Sequence, residues 1–144
     1  YSAWGAYGRA KLANFHFGIG LQREFAKRGL NAQSFVAHPG LSHTNLQIHT
    51  VDQGGGGASA PFWAWRDKHT GMSAADGALP QLRAATDPSA KGGDFYGPRW
   101  GNNGAPVRMP ILRRDIYKGI ETLWMVSERE TGIALDFESA LENA

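Results

Sequence analysis

The chain has 144 residues, of which 42% are hydrophobic and 19% charged, and its formal net charge is +2. This composition is typical of one globular domain, and so small a positive excess predicts no nucleic-acid partner. The absence of cysteine excludes disulfides and thiolate metal sites and favours a cytoplasmic location, and no apolar run approaches the roughly 20 residues that span a bilayer.

The first predicted element is a helix over 5–28, because small and apolar residues recur there every three or four positions. Gly29 directly follows two basic residues, which is typical of a helix C-terminus. Residues 32–37, AQSFVA, then predict a short buried strand that ends at Pro39-Gly40. A helix, a short turn and a buried strand are together typical of half of a parallel βαβ unit.

The later predicted elements are two helices and one strand, over 72–86, 114–130 and 93–96. Irregular structure is expected over 41–70, which contains four consecutive glycines, and over 98–110. The last helix is indicated by four apolar residues on one face: Ile116, Ile120, Leu123 and Trp124. The sequence contains no internal repeat.

Tyr7 and Lys11 lie one helical turn apart on the first predicted helix, so their side chains share a face. Chance alone gives this spacing in about one shuffled chain in seven, so the pair could be a solvated surface contact worth a few tenths of a kcal/mol. The alternative is catalytic. An ammonium beside a phenol stabilises the phenolate, so the phenol could exchange a proton with an alcohol oxygen while a hydride moves at carbon.

The string Tyr7-Gly-Arg-Ala-Lys11-Leu-Ala-Asn14, followed by His38-Pro39-Gly40-Leu-Ser-His-Thr44, resembles the short-chain dehydrogenase/reductase family. It is most similar to the retinol-dehydrogenase-like branch, in which a Trp also precedes the Tyr and the closing helix resembles LWMVSERETG at 123–132. The resemblance covers nearly the whole chain. It implies an α/β fold with a Rossmann-like, doubly wound parallel sheet, and an NAD(P)-dependent oxidoreductase that interconverts an alcohol and an aldehyde or ketone.

The resemblance also implies roles for individual residues. Tyr7 would be the general acid/base, and Lys11 would stabilise its phenolate and hydrogen-bond the nicotinamide ribose. The cofactor, with NADP slightly favoured over NAD, would contact both of these residues and also Pro39, Gly40, Leu41 and Thr44. A small lipophilic alcohol or carbonyl substrate would meet His38, Phe62 and Trp63. Packing and hydrogen bonding explain His38 better than catalysis does. Core filling or a subunit contact explains the two aromatic residues about as well as a substrate lid does.

The family pattern also begins with a strand, a glycine-rich turn and a helix that bind the pyrophosphate, and it places a catalytic Ser about a dozen residues before the Tyr. Here six residues precede Tyr7, and Ser2 lies too close to it. We therefore expect residues 1–144 to be the C-terminal half of the domain, without its N-terminal dinucleotide-binding half and inactive alone. With exposed strand edges and apolar helix faces, this half would then be unstable alone, paired with the missing half, or assembled as a homo-oligomer.

Other patterns in the sequence are weaker. Gly55-x-Gly57-x-x-Ala60 with Asp76 further on fits the loose dinucleotide fingerprint, but Pro61 interrupts the helix that this fingerprint needs. The five histidines show no HExxH or other close metal spacing, so no metal site is expected. The alternative function is a non-catalytic fragment or interaction module that retains half of the fold and binds no dinucleotide.

Overall fold

The structure, a computed structural model, describes residues 1–40, 72–112 and 115–137. Within these ranges the chain forms three helices and three short strands. In chain order they are α1 (Ala3–Arg28), β1 (Val36–Ala37), α2 (Ala74–Thr86), β2 (Phe95–Pro98), β3 (Pro106–Met109) and α3 (Ile116–Thr131).

Local capping sets both ends of α1. The Ser2 hydroxyl accepts a hydrogen bond from the backbone N–H of Gly5 at 3.2 Å, which satisfies one of the free donors of the first turn. At the other end, Gly29 adopts a left-handed conformation with φ of 65° and donates to the carbonyl of Ala26. The predicted helix over 5–28 is thus confirmed, with a start two residues earlier.

The described sheet is small and mixed. β1 pairs with β2 in parallel, with Val36 opposite Phe95, and β2 pairs with β3 in an antiparallel hairpin, with Tyr96 opposite Arg108. The expected Rossmann-like, doubly wound parallel sheet is therefore wrong for the described residues. The third strand comes from 98–110, where irregular structure was predicted, and it reverses the direction of the chain.

Helices cover both faces of this sheet. On one face, the Phe15 ring of α1 meets the Phe95 ring edge-on, with centroids 5.3 Å apart. On the other face, the Arg83 guanidinium of α2 lies 5.7 Å from the ring centroid of Tyr96, whose side chain is fully buried. The core therefore has three layers, with the sheet between α1 on one face and α2 on the other.

The third helix packs on α1, away from the sheet. Ile116 and Ile120 of α3 are buried, and Trp124 meets the ring of Phe17 with centroids 5.4 Å apart. The apolar face predicted for this helix is confirmed. Gly20 of α1 allows close approach, because a Cβ there would lie 2.8 Å from Ile120 Cγ2.

Substitution of Gly119 on α3 tests this packing. A Cβ at Gly119 would collide with the buried imidazole of His16 on α1. We expect Gly119→Ala to lower the free energy of unfolding by about 1–3 kcal/mol through overpacking, measured by urea denaturation. In the control Gly8→Ala, the new methyl meets nothing within 4 Å, and better helix propensity should raise stability by about 0.5–1 kcal/mol. Equal stability of the two variants would contradict the described helix crossing.

Candidate functional site

Tyr7 and Lys11, named here the Tyr–Lys pair, do converge on one side of α1. The Lys11 Nζ lies 5.4 Å from the centroid of the Tyr7 ring. Tyr7 is 36% exposed and Lys11 is also exposed, so a ligand could reach both from solvent. At an exposed site such a cation–π contact is worth about 0.5–1 kcal/mol. Their catalytic role stays a prediction.

The face of α1 that carries the pair also runs along β1. Near the start of β1, the Gln22 Oε1 accepts a hydrogen bond from the backbone N–H of Ser34 at 2.8 Å. One turn nearer the helix start, Gly18 lies against Val36, where a Cβ would come 2.6 Å from Cγ2. The helix and the strand therefore run in opposite directions. The Tyr–Lys pair, two to three turns further along the same face, lies toward the carboxyl end of β1.

Residues 38–40, named here the 38–40 turn, leave β1 at that carboxyl end. The backbone N–H of His38 donates to the carbonyl of Tyr96 at 3.0 Å, and its Nδ1 accepts from the N–H of Gly40 at 3.1 Å. The imidazole packs on the Phe95 ring with centroids 5.4 Å apart and planes at 34°. Burial lowers the pKa of His38 below its usual 6.5, since desolvation disfavours the charged form.

The loop of the β2–β3 hairpin closes over this turn. Gly40 has a φ of 72°, and a Cβ there would lie 2.5 Å from the carbonyl oxygen of Asn102 and 2.7 Å from Pro98 Cγ. The loop is held by bonds from Arg99 N to Ala105 O at 2.9 Å and from Trp100 N to Asn103 O at 3.0 Å. Because β1 and β2 are parallel, their carboxyl ends bring the turn and the loop to one edge of the sheet.

The sequence predicted irregular structure over 98–110 but did not place this loop at the candidate site. The signal for a hairpin was present, because Gly101 and Gly104, both with positive φ, flank two asparagines, a composition typical of hairpin turns. Trp100 on the same loop is 75% exposed, at the edge where the 38–40 turn lies.

Several predicted site residues lie outside the described residues. These are Leu41 and Thr44 for the cofactor and Phe62 and Trp63 for the substrate. The glycine run at 54–57, where irregular structure was expected, also lies outside them. Pro39 and Gly40 are described and half-buried within the 38–40 turn. In the described ranges, no three His, Asp or Glu side chains are grouped so that they could hold a metal ion.

A polar cavity of about 320 Å³ lies on the opposite face of the sheet. The carboxylate of Asp87 accepts hydrogen bonds from the hydroxyl and the backbone N–H of Ser89 and from Nε of Arg83. These bonds hold the pKa of Asp87 at about 2. Arg108 pairs with Asp94 at 3.6 Å. Both arginines that line this cavity are thus already paired with carboxylates, which is typical of a structural network rather than an anion site.

The comparisons with known proteins identify no activity. No family model matches the chain, and neither does any curated protein. A solved structure of an uncharacterized protein from Mycobacterium Paratuberculosis is similar, with 29% sequence identity and a TM-score of 0.60. The match covers 95% of this chain and 42% of that one, so the chain spans less than half of that protein's length. None of the helices described above combines the length and the apolar character that a membrane-spanning segment needs.

Proposed function

We propose that this chain belongs to an NAD(P)-dependent oxidoreductase that interconverts an alcohol and a carbonyl compound, with Tyr7 as the proton-transfer group. The observation that carries the proposal is the ammonium of Lys11, 5.4 Å from the centroid of the Tyr7 ring on an exposed helix face. That face leads toward the carboxyl end of β1, the edge at which sheets with parallel strands commonly bind ligands. The proposal rests on this pair and not on a doubly wound sheet.

The described residues fit the nicotinamide-ribose end of such a cofactor. Tyr7 and Lys11 offer an exposed phenol and an exposed ammonium, and the 38–40 turn offers backbone near the same edge. A pyrophosphate needs a set of converging backbone N–H groups or a glycine-rich turn. We assign that part of the cofactor to polypeptide outside the described residues, in line with the N-terminal half that the family resemblance implies.

In the proposed reaction, the cofactor transfers the hydride and the chain transfers the proton. When bound, a nicotinamide cofactor supplies or accepts the hydride at the substrate carbon. During reduction, the Tyr7 hydroxyl gives its proton to the carbonyl oxygen, so that one O–H bond breaks and another forms. During oxidation, the same oxygen takes the proton from the alcohol. Lys11 holds a positive charge beside the ring that carries the negative charge during this exchange.

The experiment uses the full-length protein with NADPH or NADH and a panel of lipophilic aldehydes and ketones. We expect a thermal shift on addition of cofactor and a saturable loss of reduced-nicotinamide absorbance when a substrate is present. Light scattering on the same sample measures the expected homo-oligomer. If neither cofactor binds and no substrate is turned over, the enzyme proposal is wrong, and a non-catalytic interaction module becomes the better interpretation.

A further inference from the structure

The imidazole of His38 connects the sheet to the 38–40 turn. We propose that His38 is a positioning residue, whose neutral imidazole fixes the Pro39-Gly40 backbone in the shape that receives the nicotinamide ring. The inference deepens the proposed function and rests on it for the identity of the ligand. The geometry of the turn stands independently of that function.

Two contacts fix the imidazole itself. Its ring lies over Gly97 of β2, where any Cβ would collide with the His38 ring and come 2.6 Å from Met109 Sδ. Its other neighbour is the Phe95 ring, with centroids 5.4 Å apart. A ring seated between these groups has little freedom, so the position of Nδ1 is set by the strands.

Nδ1 in turn fixes the main chain of the turn. It accepts the N–H of Gly40 at 3.1 Å, and an imidazole nitrogen can accept only while it carries no proton. The backbone N–H of His38 is tied to Tyr96 O at 3.0 Å. The turn is therefore held at both of its ends, and protonation of Nδ1 would replace one attraction by a clash of two N–H groups.

The charges around His38 favour the neutral form. The sheet face that carries His38 also carries Val36, Phe95, Gly97, Val107 and Met109, so the strands contribute no carboxylate to it in the described ranges. The ionisable groups of the first half of α1, which covers this face, are Tyr7, Arg9, Lys11 and His16, and the hairpin loop adds the exposed Arg99. Acids and further cations of the strands and α2 belong to the opposite face: Asp94, Tyr96, Arg108, Arg83 and Asp87.

The first test follows the Gly40 amide by NMR in full-length protein, across pH, in three forms: wild type, His38→Asn and His38→Ala. Asn is the matched variant, because its side-chain oxygen can accept from the Gly40 N–H as Nδ1 does but does not titrate. We expect the wild-type amide proton to show a titration with a midpoint below pH 6.5, the Asn variant to stay hydrogen-bonded throughout, and the Ala variant to lose the bond. A Gly40 signal that is identical in all three proteins would overturn the proposal.

The second test measures cofactor affinity. Above pH 7, His38→Ala should weaken NADPH binding by about two- to tenfold, the worth of one net hydrogen bond, whereas His38→Asn stays near wild type. The wild-type affinity should fall on acidification in step with the Gly40 titration, and the Asn variant should show no such step. A purely structural role would alter stability without moving this pH profile, and an Asn variant as weak as Ala would reject the proposal.

The two readouts separate the two hypotheses. If wild-type protein binds no cofactor at any pH, the proposed function fails, and the Gly40 titration still decides the role of His38. If His38→Ala does not fold, the wild-type and Asn titrations decide it alone. If the Gly40 amide signal is insensitive to pH in both the wild type and the His38→Asn variant, the proposal is wrong.

Discussion

Tyr7→Phe is expected to lower the turnover of a carbonyl substrate by about 10²- to 10⁴-fold, because it removes the proton that the substrate oxygen must receive. The ring remains under the Lys11 ammonium, so the cation–π contact and the stability of α1 should be nearly unchanged. Cofactor affinity should also stay close to wild type. Steady-state kinetics, together with a cofactor titration and a urea melt on the same variant, measures all three quantities.

The chain supplies a matched control in Tyr117. This residue of α3 is 59% exposed and also carries a cation over its ring, because the Arg23 guanidinium lies 4.8 Å from its centroid. Tyr117→Phe removes a hydroxyl from a very similar pair and should leave turnover intact. If the two variants lose activity equally, or if Tyr7→Phe remains active, Tyr7 is not the proton-transfer group.

Removal of the cation extends the same comparison. Lys11→Met should lower turnover and also weaken cofactor binding, because the resemblance gives this ammonium a contact with the nicotinamide ribose. Arg23→Met removes the corresponding cation from Tyr117 and should change neither quantity. If Tyr7 and Lys11 form only a surface contact, the two tyrosine variants and the two cation variants should all keep wild-type turnover. Loss of such an exposed contact changes stability by only about 0.5–1 kcal/mol and leaves the protein folded.

The sequence predicted the helices well because their signals are local. The left-handed Gly29 and the apolar face of α3 each depend on residues within a few positions of one another. The start of α1 was placed two residues late, because the cap at Ser2 was not predicted. The convergence of the Tyr–Lys pair has the same origin, since a spacing of four on a helix brings two side chains together.

The strands were predicted less well because their partners are distant in sequence. A strand was expected over 32–37, but β1 contains only Val36 and Ala37. At Ser34 the N–H and the hydroxyl bond to Gln22 and to the Gly18 carbonyl of α1, at 2.8 and 2.9 Å, while the Ser34 carbonyl still accepts from the Gly93 N–H. Local composition cannot show that a helix side chain takes up the backbone N–H of a residue expected in a strand.

The third strand and the fold class show the same limit. β3 begins at Pro106, and a proline is tolerated at the first position of a strand because no ladder hydrogen bond from its nitrogen is needed there. In the sequence alone, however, a proline is typical of a loop, so the strand was not predicted. The short motifs around Tyr7 and Gly40 carry a family's expected chemistry but do not determine the direction of a strand that begins only at Pro106. The sheet is therefore mixed where the resemblance implied a parallel one.

Gly40→Ala is the substitution expected to have the largest effect on stability. The left-handed φ of 72° costs an alanine about 1–2 kcal/mol, and forcing a methyl against Asn102 and Pro98 costs about 1–3 kcal/mol more. We therefore expect a loss of about 2–5 kcal/mol in the free energy of unfolding, measured by urea denaturation.

Gly29→Ala isolates the part of this loss that comes from the contact. Gly29 has a similar φ of 65°, but a Cβ there would meet nothing within 4 Å, so only the backbone strain of about 1–2 kcal/mol should appear. The excess loss at Gly40 measures how firmly the hairpin loop packs on the 38–40 turn. Equal losses at the two glycines would mean that the hairpin loop does not pack on the 38–40 turn. The sheet edge at which the Tyr–Lys pair is proposed to act would then be more exposed to solvent than it is in the structure.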